Sequence, residues 1–534
     1  MKPVRMPLTI RLRFLYWASL LLPCVPAPAS AADPSQSTPT PVVSVFGSPL
    51  LLNFGYHPAG TITTGRPVGF SCTSITNPLV LTVPPGFELS KDNQVFATTL
   101  VYTPAELISQ QTCFIRFAPQ AANTGFGGSL LFTTTGFSRT GPDLSASSLH
   151  PDHSLDVVNW NIAWFGGVNG PVNLDLQVEN ARIVMDSLGA DLYMLQEIVD
   201  TARLGLLTRS LLNGPYDYIV ASYASNTTTN TNTTWRNAQK LAYVYRRSLF
   251  SNIHTRGYTS SAGNTNRINW ASGRYPFLMD AQVTVNGITK RVLFFNIHAK
   301  AELGETNDYF RRLGAANLLY DSLTTMFPTQ HLLVAGDFND DLDETISKVA
   351  GTTLTPYFQF MEDSVNYTAL SYWNTLRGEN SFIGFPNVVD HAIASNEMAL
   401  DYHAYSCILR REALNWVNQY RDSLTDHLPL VSRFDWRQSA LNQVTSLRRI
   451  PETAAGLQLS GVPGPQPRLW FRKTLPGPVY LQVRTLNGQL LWQQQLGRVN
   501  EGQQVMLPLH HLPSGLYLLE VSSREGRSSL KLVR

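Results

Sequence analysis

Between Leu155 and Trp436, seven apolar runs of strand length alternate with helical patterns, and each run lies beside a carboxylate, an amide or an imidazole. The runs are LDVVNW, DLYMLQ, KLAYVYR, RVLFFNIH, HLLVAGD, VVDHAIAS and LPLVSRF. Between them, Val178, Ala181, Met185 and Leu188 follow helical spacing, as do Leu313, Ala316, Tyr320 and Leu323. Asn286-Gly287, set between two alternating runs, predicts a type I′ hairpin. Strands alternating with helices over this length build an α/β domain with a mixed sheet.

The polar residues carry the functional signal. Asn161 follows DVVNW, Glu197 follows LYMLQ and His298 follows LFFNI. Asp337 and Asn339 follow LLVAG, Asp390 lies in VVDHAIAS, and Asp426-His427 precede LPLVSRF. Apolar strands release their polar ends at one edge of a sheet, so these groups are expected to converge on one pocket. Their oxygens are hard ligands suited to Mg²⁺, Mn²⁺ or Ca²⁺, and no Cys/His spacing selects zinc. Paired histidines beside such a site suit phosphate-ester hydrolysis, one exchanging a proton with water and the other meeting the phosphoryl or leaving oxygen. Singly, an LQE or an SDH is an ordinary cap or turn. The whole ordered set is not. Residues 151–436 hold 21 basic and 29 acidic side chains, which argues against a broad nucleic-acid surface built from charge. His391, His403, His510 and His511 are read as structural or solvated.

The flanks differ in character. Lys2, Arg5, Arg11 and Arg13 precede an apolar run from Phe14 to Val25, and Ala29-Ser30-Ala31 offers small residues for cleavage. Residues 1–31 therefore read as a signal peptide, and the chain as exported. That apolar run is too short to span a membrane, and no later segment approaches ~20 uninterrupted apolar residues. Residues 42–146 show short runs broken by Gly, Pro and Asn, including FIRFAP, the pattern of a small β-sandwich that resembles immunoglobulin-like modules. Residues 142–153 read as the link to the next domain, 152–436. Within that domain SNTTTNTNTT (225–234) reads as a polar surface insert. Residues 437–466 are rich in Gln, Pro and Gly and read as a linker before a second β-sandwich at 467–534. The tail from 437 carries 12 basic and four acidic groups. Cys72 and Cys113 fall in one β-rich segment of an exported chain, either bridged or as two free thiols, and Cys407 reads as a small core residue.

The ordered series NWNI, LQE, NIHA, GDFN, VVDH and DHLP resembles the endonuclease/exonuclease/phosphatase family across 152–436. The resemblance implies a four-layered α/β sandwich, deoxyribonuclease I-like, here flanked by two small β-sandwiches. It implies a monomeric hydrolase of phosphoric esters, with nucleic acid as the expected substrate and a sphingomyelinase-like or inositol-phosphate phosphoesterase as the alternative. By motif, Asn161, Glu197 and Asp426 would hold a divalent cation, Mg²⁺ or else Mn²⁺ or Ca²⁺. Asp337 and Asn339 would orient the nucleophile and bind phosphate, His427 polarised by Asp390 would be the base, and His298 would stabilise developing charge. Arg274 in GRYPF would contact phosphate. Where deoxyribonuclease-like members place a Glu against the first His, this chain has Gln239, which can orient His298 but stabilises an imidazolium less well. The tail, through LNGQLLWQQQL, PSGLYLLEV and the terminal KLVR, resembles a type A sorting domain of the type IX secretion system of Bacteroidota. That resemblance implies the type IX machinery as a partner and a secreted or cell-surface location. A catalytically silent adhesin carried by two β-sandwiches is the reading from a different class.

Overall fold

A computed structural model describes residues 40–227 and 233–437, then 457–460 and most of 467–533. The middle of the chain is α/β. Two six-stranded mixed sheets pack face to face, with helices on their outer sides. In the first sheet the strands run in the order Tyr216–Val220, Lys240–Arg246, Leu192–Ile198, Ser154–Phe165, Leu430–Asp435, Ile408–Leu409. The second runs Phe250–Gly257, Phe277–Val285, Ile288–His298, His331–Asp337, Asp390–Ser395, Tyr367–Ala369. All seven runs singled out in the sequence are strands.

Local chemistry explains the elements that carry the site. Ser154–Phe165 pairs parallel with Leu192–Ile198, and Ile288–His298 pairs parallel with His331–Asp337. The polar C-terminal ends of all four strands therefore meet at one edge. The remaining two run antiparallel to their neighbours, so they contribute from their N-terminal side: Asp390 opens its strand, and Asp426-His427 precede theirs. Helix Leu174–Leu188 starts on Asn173, whose carboxamide accepts from Leu176 N–H, and ends on Gly189 in the left-handed conformation. Asn286 and Gly287 both take positive φ, 49° and 77°, and close the predicted hairpin with Val285 opposite Ile288.

The second predicted helix is present as Thr306–Met326, but its buried face is turned by about one position. Arg312, Ala315, Ala316, Leu319 and Leu323 face inward, where the pattern put Leu313 and Tyr320. Arg312 is fully buried, its guanidinium held by Asp340 (2.9 Å) and Glu302 (2.6 Å). A paired arginine in a core position reads as surface in a sequence.

Both flanking regions are β-sandwiches. The N-terminal one has a four-stranded and a five-stranded sheet, and its last strand, Phe137–Ser147, takes in residues 142–147 that read as a linker. Ser145 and Ser147 are buried there against the α/β domain, which is why small residues occupy them. Cys72 and Cys113 are not bridged. They sit on neighbouring strands but out of register, since Cys113 pairs with Val68 and Cys72 with Val43, which leaves the sulfurs too far apart. In the C-terminal region a three-stranded and a four-stranded sheet share one apolar cluster. The first of its strands, Leu457–Ser460, falls inside the expected linker, so this unit begins about ten residues earlier than composition suggested. Residues 1–31, which read as a signal peptide, LNGQ at 486–489, and His510 and His511 lie outside the described residues.

Candidate active site

The strand carrying Asn161 breaks its regular pairing immediately afterwards. Between Asn161 and Phe165 the register slips, and Ala163 and Trp164 take positive φ of 23° and 49°. Glu197 on the neighbouring strand has φ 63°, and Asn339 beyond His331–Asp337 has φ 51°. Non-glycine residues held in this region cost on the order of 1–3 kcal/mol each and cluster where geometry serves function. Here the distortion has a visible purpose. It turns Trp164 N–H onto Glu197 Oε2 (2.9 Å) and Ala163 N–H onto Asn161 Oδ1 (3.1 Å), fixing both side chains.

Asp337 lies at the centre. Its Oδ2 accepts from Asn161 Nδ2 at 2.9 Å and stands 3.4 Å from His298 Nε2 and 3.9 Å from His427 Nε2. Asn161 Nδ2 also reaches Glu197 Oε1 at 3.3 Å, and His298 Nε2 is 3.7 Å from the same oxygen. Asp337 Oδ1 accepts from Asn339 N–H, and the Asn339 carboxamide donates to Ala299 O at 3.3 Å. His427 Nδ1 lies 2.7 Å from Asp390 Oδ2, and Asp426 Oδ1 is 3.9 Å from His427 Nε2. The backbone of His427 is pinned at both polar atoms. Trp160 Nε1 and Tyr420 Oη donate to its carbonyl, and its N–H donates to Thr425 Oγ1, which in turn donates to Asn161 O. The eight groups named for catalysis and metal binding are thus one contiguous cluster.

Asn161 turns its amide nitrogen to Glu197 Oε1 and Asp337 Oδ2 and its oxygen to Ala163 N–H, so it stands between the two carboxylates. Two sequence expectations change in detail. Arg274 is 6 % exposed and spends its donors on His298 O (2.9 Å), Ala299 O (2.9 Å) and Gln239 Oε1 (2.7 Å). It clamps the backbone carrying His298 from beneath and does not reach out to a substrate. Gln239 orients that arginine, not the imidazole, and His298 Nδ1 has no hydrogen-bond partner.

A second network escaped the sequence reading. Gln196 Nε2 donates to Asn159 Oδ1 (2.8 Å) and Asn296 Oδ1 (2.7 Å), while Asn159 Nδ2 donates to Gly336 O (3.0 Å). These amides are fully buried and join the two sheets directly under the site. Each lies inside a quoted motif, NWNI, LQE or NIHA, where the sequence reading gave it no role of its own. Ser381 is a further case: its hydroxyl accepts from Val389 N–H and Asp390 N–H and so sets where Asp390 points.

Burial and charge drive the titrating groups apart. Desolvation raises Asp337 to about 7, aided by Asp390 and Glu197 and opposed by His427 and Asn161. Burial alone would lower His427, but the hydrogen bond and charge of Asp390, with Asp337 and Asp426, carry it to about 10. His298 is lowered well below an ordinary histidine by burial, Arg274 and His427, and stays neutral.

The donor set can be weighed against a divalent cation. Among the described residues no three His, Cys, Asp or Glu groups converge as a ready cage. The accessible oxygens are Glu197 and Asp426, both half-buried, in a cluster where crowded carboxylates already push Asp337 upward. A sparse carboxylate set fits Mg²⁺, which keeps several waters and binds through one or two carboxylates and substrate oxygens.

Neither a protein-family profile nor a curated protein sequence matches the chain. Solved structures do. An endonuclease/exonuclease/phosphatase protein from Beutenbergia cavernae is 14% identical with a TM-score of 0.40, covering 71% of this chain and 100% of that one. The human Nocturnin catalytic domain with bound sulfate is 16% identical, TM-score 0.34, covering 53% and 94%. A mannosyl-6-phosphatase from Bacteroides thetaiotaomicron is 16% identical, TM-score 0.34, covering 52% and 98%. These likenesses are distant, and the chemistry assigned to this chain rests on its own geometry.

Proposed function

We propose that the chain is a divalent-metal-dependent hydrolase of phosphoric esters, acting on the phosphodiester bonds of nucleic acid. The observation that carries this reading is the convergence of the Asp390–His427 pair, Asp337, His298, Asn339 and Glu197 within hydrogen-bonding or near-contact distance of one another. Glu197, with Asp426 at the rim, would hold the cation, which when bound supplies charge neutralisation for the phosphate and for an attacking water. The protein groups divide the remaining work. Asp390 fixes the His427 ring through Nδ1, so Nε2 is the atom that exchanges a proton with the water, together with the Asp337 carboxyl 3.9 Å away. Neutral His298 offers its Nε2–H to phosphoryl oxygens, and the half-buried Asn339 amide flanks the same space.

The acidic balance of 151–436 supports a substrate gripped locally and not along a basic groove. A second reading, phospholipid head-group cleavage, draws on Val168 and Val172, which are fully exposed in the loop that follows Trp164 beside Glu197. The deciding experiment offers the purified chain with Mg²⁺ four substrates: DNA, RNA, sphingomyelin vesicles and inositol phosphates. Cleavage of nucleic acid that stops with chelator is expected. Cleavage confined to vesicles selects the second reading, and activity surviving both chelator and Glu197→Ala overturns the metal mechanism.

We further propose that the chain is exported and that its C-terminal β-sandwich is a type IX sorting unit. Support comes from the basic-apolar-small pattern of residues 1–31 and the tail motifs. Deleting residues 457–534 in a type IX-competent host should leave the protein inside the cell. Unchanged surface display would refute it.

A further inference from the structure

The N-terminal sandwich is fitted closely onto the α/β domain. On strand Gly125–Thr134, a Cβ added at Gly125 would lie 2.3 Å from Ala404 O, and one added at Gly127 would lie 2.3 Å from the Tyr405 ring. Both glycines are there because the opposing chain leaves no room for a side chain. On the adjacent strand Ser145 Oγ donates to Tyr405 O at 2.8 Å, and Ser147 Oγ lies 2.8 Å from His403 Nε2.

One contact of this interface leads toward the candidate active site. Asp143 of the sandwich, bonded by Ser129 Oγ, stands 3.5 Å from Arg377 Nε. The Arg377 side chain is 9 % exposed and stacks 3.7 Å above the Trp373 ring, with Nη2 donating to Asn374 Oδ1 and 3.9 Å from Glu379 Oε1. Glu379 is paired at 2.6 Å with Arg411, whose Nη2 also holds Asn380 through its carbonyl and side chain. From Asn380 the chain enters a strap over the histidine pair. Ser381 O accepts from Leu428 N–H, Ile383 N–H donates to Asp426 O, and Phe382 bridges to His427 with its ring edge-on at 5.0 Å. Ser381 Oγ meanwhile holds the Asp390 amide. Residues 379–383 thus hold the His427–Asp390 pair from this side, and buried Arg377 ties them to Asp143 of the sandwich, beside a more exposed contact from Asn53 to Glu412.

We propose that the N-terminal sandwich is a positioning module for the His427–Asp390 pair, acting through Asp143, Arg377 and Glu379 on the strap at 380–387, with Arg377 as the positioning residue. Its catalytic consequence rests on the phosphoesterase reading above; its structural consequence does not. An ion-paired arginine this deeply desolvated is costly to leave half-paired, which gives the link a preferred geometry. Sub-ångström displacement of a proton-transfer group is enough to lower turnover.

The test uses the full chain and three variants: Arg377→Leu, Arg377→Lys and Gly127→Leu. The readouts are kcat and KM on the cleaved substrate and the downfield proton resonance of His427 Nδ1–H bound to Asp390. Arg377→Leu should lower kcat roughly tenfold to a hundredfold with KM within about twofold, and should shift or broaden the resonance. Arg377→Lys, which keeps a cation between Asp143 and Glu379, should recover most of both. Gly127→Leu touches only the interface and should move the resonance in the same direction. If Arg377→Leu fails to fold, Gly127→Leu carries the test alone. An unchanged resonance in Gly127→Leu overturns the proposal, because the strap would then be set without the sandwich. If the parent chain cleaves no phosphoester, the resonance still decides this inference, so the two failures are told apart.

Discussion

His298 and His427 are both buried and face the same oxygen, 3.4 and 3.9 Å from Asp337 Oδ2, yet their surroundings push their charge states in opposite directions. Asp390 makes the largest difference. Asp390 accepts from His427 Nδ1, while His298 Nδ1 meets nothing and Arg274 lies beneath it. Asp390→Asn should therefore act mainly by releasing the His427 ring, while also easing the upward push on Asp337, cutting kcat on the order of 10²–10⁴ with little change in KM. His427→Ala should lose a similar amount while Mg²⁺ affinity, measured by calorimetry, persists. Equal turnover in His427→Ala and the parent would remove the histidine from the mechanism. Glu197→Ala should do the reverse, abolishing the calorimetric Mg²⁺ signal along with activity; retained binding would place the ion elsewhere. Residue identity at this scale was legible because chemistry demands particular side chains. Orientation was not: that Asn161 shows its nitrogen and Arg274 turns inward depends on the partners folding supplies.

At the scale of elements, the site is made by where strands stop, and Gly336 shows how little slack that leaves. It sits in the parallel ladder opposite Ile297, and a Cβ there would be 2.0 Å from Ile297 O. The obstacle is backbone and cannot swing away. Gly336→Ala should part the ends of Ile288–His298 and His331–Asp337, which carry His298 and Asp337. The expected cost is about 3 kcal/mol or more, read as a lower urea midpoint, with activity lost beyond what unfolding explains. An unchanged midpoint would mean that the ladder opens freely at this point. The strands themselves were readable from apolar runs, and the hairpin from Asn286-Gly287. The bulge at Ala163-Trp164 was not, since nothing in that dipeptide demands positive φ; it is held by Glu197 on the neighbouring strand and by Asn161 two residues earlier. The rotated face of Thr306–Met326 was hidden for a related reason, a buried arginine satisfied by residues distant in sequence.

At the scale of the whole molecule, the seam between the sandwich and the α/β domain was hard to read, because Ser145 and Ser147 look like linker until the surface they meet is known. That surface includes His403, 5 % exposed, whose Nε2 lies 2.8 Å from Ser147 Oγ. Burial and Arg433 lower His403 to about 4, Arg437 adds to this, and Asp435 and Asp156 oppose it only in part. In the unfolded chain the same ring would take its proton near an ordinary value of about 6.5. Between these two values the unfolded state binds more protons, so stability must fall as the solution is acidified through that window and stay level above it. The loss reaches about 2 kcal/mol by pH 5, and no further loss from this group follows below pH 4. His403→Gln keeps a polar side chain at the interface without a titrating ring. It should start less stable at pH 7.5, and the gap should close on acidification, so that the two urea-midpoint profiles converge by about pH 5. Carboxylates that titrate in the same range contribute equally to both proteins and cancel in the difference. Parallel profiles across pH 7.5 to 4 would show that His403 is not held neutral at the seam between the sandwich and the α/β domain.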